Sequence, residues 1–148
     1  MTISGKITLK KGKEFSIQRK HPWIFSGAIQ KMEGEVTDGC WVEVQDLKST
    51  TLGYGHYENG SIALRMLSFD KTPPDKSLWD HKILKALQTR KASGLPSDQT
   101  NTFRIIHAEG DGLPGLIIDY YDGVAVVQAH SAGMHHDRLQ IAAAITKV

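Results

Sequence analysis

The chain has 148 residues, 40% of them hydrophobic and 23% charged, enough for one ordinary core or two small ones. Its single cysteine excludes an internal disulfide framework and suits a reducing compartment. The net charge of +2 hides a polarity: residues 1–31 carry seven lysines and arginines against Glu14 alone, while residues 98–148 carry three against six acids. Such a distribution points to a polyanion partner for the N-terminal part.

The opening MTISGKITLKKGK has no apolar signal core, and no apolar run approaches membrane-spanning length, so a cytoplasmic protein is expected. Ile7 and Leu9 alternate with polar neighbours, as do Phe15 and Ile17 after the Lys11-Gly12-Lys13 turn, and both stretches read as strands. His21-Pro22-Trp23-Ile24-Phe25 leads into Ser26-Gly27-Ala28-Ile29, with the proline placed to start a short helical turn. Trp41–Gln45 and Ile62–Met66 alternate again, and between them Leu52-Gly53-Tyr54-Gly55-His56-Tyr57 has glycines suited to the bends of a small closed barrel. Glu58-Asn59-Gly60-Ser61 reads as a turn.

Lys71-Thr72-Pro73-Pro74 is the expected boundary, since paired prolines stiffen a connection and disfavour a helix before them. Beyond it, Ser77 and Asp80 are spaced like a capping box, and Trp79, Ile83, Leu84 and Leu87 form the apolar side of a helix that Gly94 and Pro96 end. A polar loop from Ser97 to Thr102 follows. The last amphipathic segment starts near Met134, with Leu139, Ala142, Ala143 and Ile145 as its apolar side and no stop signal after it.

Gly110, Gly112 and Gly115 spell G-x-G-x-x-G, the nominal dinucleotide fingerprint. That motif requires a helix opening at its end, so that backbone amides face the pyrophosphate. Leu116-Ile117-Ile118-Asp119-Tyr120-Tyr121, the Asp122-Gly123 pair and Val124–Val127 instead read as strand, turn, strand. A β-hairpin is therefore the expectation here.

Two stretches carry a resemblance. FRIIHAEGDGLPGLIIDYY with the later Ser131-Ala132-Gly133 resembles the central domain of S-adenosylmethionine-dependent large-subunit rRNA cytosine-5 methyltransferases. RKHPWIFSGAI, Arg19 to Ile29, resembles the N-terminal PUA domain of that family, an RNA-binding fold. The resemblance implies a mixed β and α+β chain: a PUA-like β-barrel at residues 1–70, then an α+β domain at residues 75–148 with a β-hairpin and two helices, incomplete at its C-terminus. In the family the methyltransferase domain lies downstream and holds both the cofactor pocket and the nucleophilic cysteine. The expectation is thus an RNA-binding portion that lacks the catalytic domain, is inactive alone and holds no cofactor, with S-adenosylmethionine serving the complete enzyme. Its implied partner is structured RNA, specifically 23S rRNA, with no membrane. If the family's later strands are missing, an open sheet edge also implies self-association.

Chemistry within these residues reads sparsely. Cys40, beside Gly39 and Trp41, has no local cationic setting to activate a thiol and reads as a small packed side chain. His107, Glu109 and Asp111 alternate and could share a face as metal ligands, but acids beside glycine turns more often cap backbone amides. His135 and His136 are splayed by ~100° on a helix and do not share a face. RNA contact is better supported: Arg19, Lys20 and His21 beside the HPWIFSGAI turn, with Arg65 on a later strand, supply phosphate-binding groups. Trp23 and Phe25 are expected to be packing residues. The rival readings are a free-standing PUA-type RNA-binding adaptor without enzymatic activity, and a small nucleotide-using enzyme built on the Gly110–Gly115 loop. A further rival makes the central domain a dock for the catalytic one.

Overall fold

The computed structural model describes all 148 residues, which divide into two compact units, Met1–Asp75 and Lys76–Val148. The first unit contains β1 (Ile3–Leu9), α1 (Glu14–Gln18), β2 (Trp23–Phe25), β3 (Ile29–Gly34), β4 (Trp41–Gln45), β5 (Thr51–Tyr57) and β6 (Ile62–Ser68), with a one-turn 3-10 helix at Ser26–Ala28. Its six strands pair in the order β2-β6-β5-β4-β1-β3, with β1 and β4 parallel and the other neighbours antiparallel. β2 and β3 stand at the two ends of this order.

The inward residues of these strands and Ile17 of α1 form one core: Ile7, Leu9, Ile17, Ile24, Val42, Val44, Leu64 and Met66 are all buried. Each contributes ~1.5–3 kcal/mol relative to exposure. Cys40 is partly buried and packs against this cluster. The β5 glycines lie where strands approach closely. The β5–β6 register shifts between Tyr54 and Gly55, and a Cβ on Gly55 would overlap the Arg65 carbonyl.

Two local expectations fail here. Phe15 and Ile17 belong to helix α1, which buries Ile17 and leaves Phe15 57% exposed. An apolar-polar-apolar triplet is too short to distinguish the two periods, and tertiary contact through Ile17 decides. The helix stops at Lys20, in the left-handed region with φ 58°, where its amide reaches the Ile17 carbonyl at 2.7 Å. Pro22 leads into strand β2 and not into a helical turn, its carbonyl accepting from the Met66 amide at 2.7 Å.

The second unit holds α2 (Ser77–Ala92), β7 (Thr102–His107), β8 (Leu116–Tyr121), β9 (Val124–Ala129), α3 (Ala132–His136) and α4 (Arg138–Ile145), with a 3-10 turn at Ala108–Asp111. The sheet is an antiparallel meander, β7-β8-β9. Helix α2 buries Trp79, Ile83 and Ala86, whereas Leu84, rotated ~100° from Ile83, is 40% exposed. Its N-cap is Lys76 rather than Ser77, without a side-chain capping bond. Its end follows expectation. Gly94 has φ 82°, its amide meets the Lys91 carbonyl, and the Leu95 amide meets that of Arg90, which is a Schellman closure.

The expected single last helix is two. Ser131 caps α3 by accepting from the Met134 amide at 3.3 Å, and the chain restarts as α4 after Asp137. The buried side of α4 is Ile141 and Ala144, while Leu139 is 73% exposed. The expected apolar side, Leu139, Ala142 and Ala143, therefore faces outward. The unit thus has three helices, not the expected two. No helix in the chain is long and apolar enough to cross a membrane.

Candidate nucleic-acid interface

The α1–β2 connection gathers cations and rings because a short helix ends directly on an end strand. Arg19, Lys20 and His21 are exposed along it, as are Lys11 and Lys13 just before α1. Lys10 is exposed too, and donates its Nζ to the Gly27 carbonyl at 2.9 Å. The His21 ring is fixed by its Nδ1, 3.1 Å from both the amide nitrogen and the carbonyl oxygen of Trp23. Arg19, Lys20 and His21 therefore form one continuous solvent-facing stretch.

Arg65 differs from those three. On β6 it stands opposite Trp23 of β2 and His56 of β5, which does bring it to this end of the sheet. Its guanidinium, however, is paired with the Glu58 carboxylate at 2.5 Å, and its side chain is only 18% exposed. Its charge is already answered within the protein.

Phe25 departs from its expected packing role. Only Ile24 of the triplet Trp23-Ile24-Phe25 points inward; Phe25 is 53% exposed and Trp23 half-buried. Strand alternation puts Trp23 and Phe25 on one face opposite Ile24 but does not say which face is buried. The rings of His21, Trp23 and Phe25 meet edge to face in series, with centroids 6.2 and 6.5 Å apart. With Lys13, Ser16 and Gly27 they line an open pocket of ≈ 380 Å³.

The second unit's candidates resolve into structural roles. β8 begins at Leu116, directly after Gly115, so no helix amides face a phosphate there, and the Gly110–Gly115 loop is not a dinucleotide cradle. Asp111 accepts two bonds from Arg90, both 2.7 Å, and one from the His107 amide at 2.6 Å. It is a capping acid, and no group of three His, Cys, Asp or Glu residues could hold a metal ion. His135 and His136 are exposed on α3.

Elsewhere, four groups have shifted ionisation, Arg104 being raised by its hydrogen bond to Asp119. The Arg104 guanidinium, bonded through Nε at 2.8 Å and Nη2 at 3.1 Å, holds the Asp119 carboxyl below its ordinary range. The Thr50 amide, with that of Lys48, does the same for Asp46. Burial pushes the Tyr54 hydroxyl up.

Residues 7–69 match a PUA-like domain. The chain is 40% identical over 148 residues to Ribosomal RNA large subunit methyltransferase I of Alteromonas mediterranea, covering 99% of this chain and 37% of that protein. The proteins of that name from Klebsiella pneumoniae (36% over 145 residues) and Escherichia coli (34% over 144) are also homologous. Each of these two covers 97% of this chain, and the chain spans 36% of either relative. Among solved structures, a Streptococcus mutans chain assigned as a SAM-dependent methyltransferase superposes with a TM-score of 0.82 at 18% identity, over 99% of this chain and 38% of that one. A second, a methyltransferase assignment complexed with SAH, gives 0.81 at 18%, over 99% of this chain and 37% of the other.

Proposed function

We propose that this chain is the RNA-engaging portion of an S-adenosylmethionine-dependent methyltransferase that acts on cytosine C5 of large-subunit, 23S, rRNA in the cytoplasm. The observation that carries the reading is homology along nearly the whole chain to large-subunit rRNA methyltransferases, with the PUA-like match lying on the cation-rich unit. Arg19, Lys20 and His21 take the phosphate contacts, because they are exposed and adjacent. Arg65 supports the neighbouring strands from its pair with Glu58. Cofactor binding and the cysteine nucleophile belong to a catalytic domain outside these residues, in keeping with relatives whose length this chain covers by 37%. That cofactor supplies the methyl group; the residues described here hold and orient RNA.

The test is fluorescence anisotropy on a structured 23S rRNA fragment at several salt concentrations, with wild type and an Arg19→Ala/Lys20→Ala double variant. Affinity that falls with salt, with a slope smaller by ~1–2 units in the variant, is the expected outcome. Absence of binding at low salt rejects the reading for this chain. Calorimetric binding of S-adenosylmethionine to the 148 residues would reject the assignment of the cofactor site elsewhere.

A further inference from the structure

The phosphate contacts proposed above reach the neighbouring pocket only through His21, and its shape and lining differ from what a duplex backbone requires. Its ≈ 380 Å³ lies at the lower end of the ~300–1,000 Å³ range of small-ligand pockets. It suits one flat group, not a helix.

The lining is chemically specific. Phe25 lies on end strand β2 with 53% of its surface open. Trp23 and His21 hold the side of the pocket as a fixed edge-to-face series. At the rim, the Lys13 ammonium is exposed, and Ser16 keeps acceptor lone pairs while donating its hydroxyl to the Lys13 carbonyl at 3.0 Å. Gly27 contributes open space: no atom lies within 4 Å of where its Cβ would stand.

An aromatic wall, a hydrogen-bonding hydroxyl and a cation at the mouth together match a nucleobase still attached to its phosphate. RNA offers such a group where a nucleotide leaves the stack, since paired bases keep their faces covered. We infer that this pocket receives a single unstacked nucleobase of the bound RNA, laid against Phe25, with its phosphate at Lys13. The inference rests on the RNA-binding reading. It adds that the first unit selects bulged or single-stranded positions over continuous duplex.

The test uses the full chain and two RNA hairpins of equal length: one fully paired, one with a single bulged 2-aminopurine. Anisotropy gives affinity for each, and 2-aminopurine emission reports stacking of the bulged base. Wild type is expected to bind the bulged hairpin ~10-fold more tightly and to quench its emission. Phe25→Ala, at an exposed side chain, removes the preference and the quenching while leaving paired-hairpin affinity unchanged. Gly27→Leu, which grows a side chain from the pocket lining, does the same without altering charge. Lys13→Ala weakens the bulged complex more than the paired one. Equal wild-type affinity for the two hairpins overturns the pocket assignment and leaves RNA binding standing, as does a Phe25→Ala variant that keeps the preference. Failure to bind either hairpin at low salt overturns both readings.

Discussion

Arg65 stands opposite Trp23 in the β2–β6 ladder and gives its Nη1 to the Glu58 carboxylate at 2.5 Å. The pair lies at one edge of the cation-rich surface yet withdraws a positive charge from it. Arg65→Ala is therefore expected to act on stability first. Removing a charged hydrogen bond at a side chain 18% exposed costs about 1–3 kcal/mol in urea denaturation, with the salt slope of RNA binding unchanged. A slope that drops by a full unit at unaltered stability would instead put Arg65 on phosphate.

Two glycines separate backbone necessity from open space. Gly55→Ala forces a methyl group onto the Arg65 carbonyl of the adjacent strand and should destabilise by about 1–3 kcal/mol. Gly27→Ala meets no atom within 4 Å and should stay within about 0.5 kcal/mol of wild type. Denaturation midpoints of the two variants, compared at equal slope, check both statements.

The acid limb of stability depends partly on Asp119. Its folded pKa lies below the ordinary 3.8 because Arg104 bonds the charged form, so protonation favours the unfolded chain. The contribution is complete above the ordinary carboxylate pKa and fades as pH falls through the lower, folded value. Asp119→Asn should thus be less stable than wild type at pH 6, with the gap narrowing toward pH 3. Urea denaturation across that range tests this, and a gap independent of pH would contradict it.

Strand β9 is an end strand whose segment Val124–Ala129 carries no charge, with Val124 60% and Val126 43% exposed. Unpaired strand edges of this kind recruit other strands. Light scattering with size-exclusion chromatography is expected to show concentration-dependent self-association of the 148-residue chain, reduced by Val126→Lys. A monomer at every concentration would dismiss the expectation.

Much of the second unit was readable locally. The Asp122-Gly123 turn sits between β8 and β9 as expected, with φ 43° and 96° at its two residues. β-branched residues after Gly115 announced a strand where a nucleotide site would need a helix. The surface around β2 was only half readable. Charge picks out Arg19, Lys20 and His21, whereas the usual packing of aromatic residues points Phe25 to the core, and it is 53% exposed.

By itself the sequence determined the features whose causes lie within a few residues: the strand-turn-strand after Gly115, the Gly94 helix stop, and the concentration of cations before Lys31. Backbone preference and charge are properties of the local chain, so no distant partner is needed to read them. Tertiary structure alone decided that Glu14–Gln18 is helical, that Asp137 divides the last helices, that Arg65 is neutralised by Glu58, and that Phe25 faces solvent. Each of these depends on which strand or helix lies alongside, and burial, unlike a turn, has no value until that neighbour is in place.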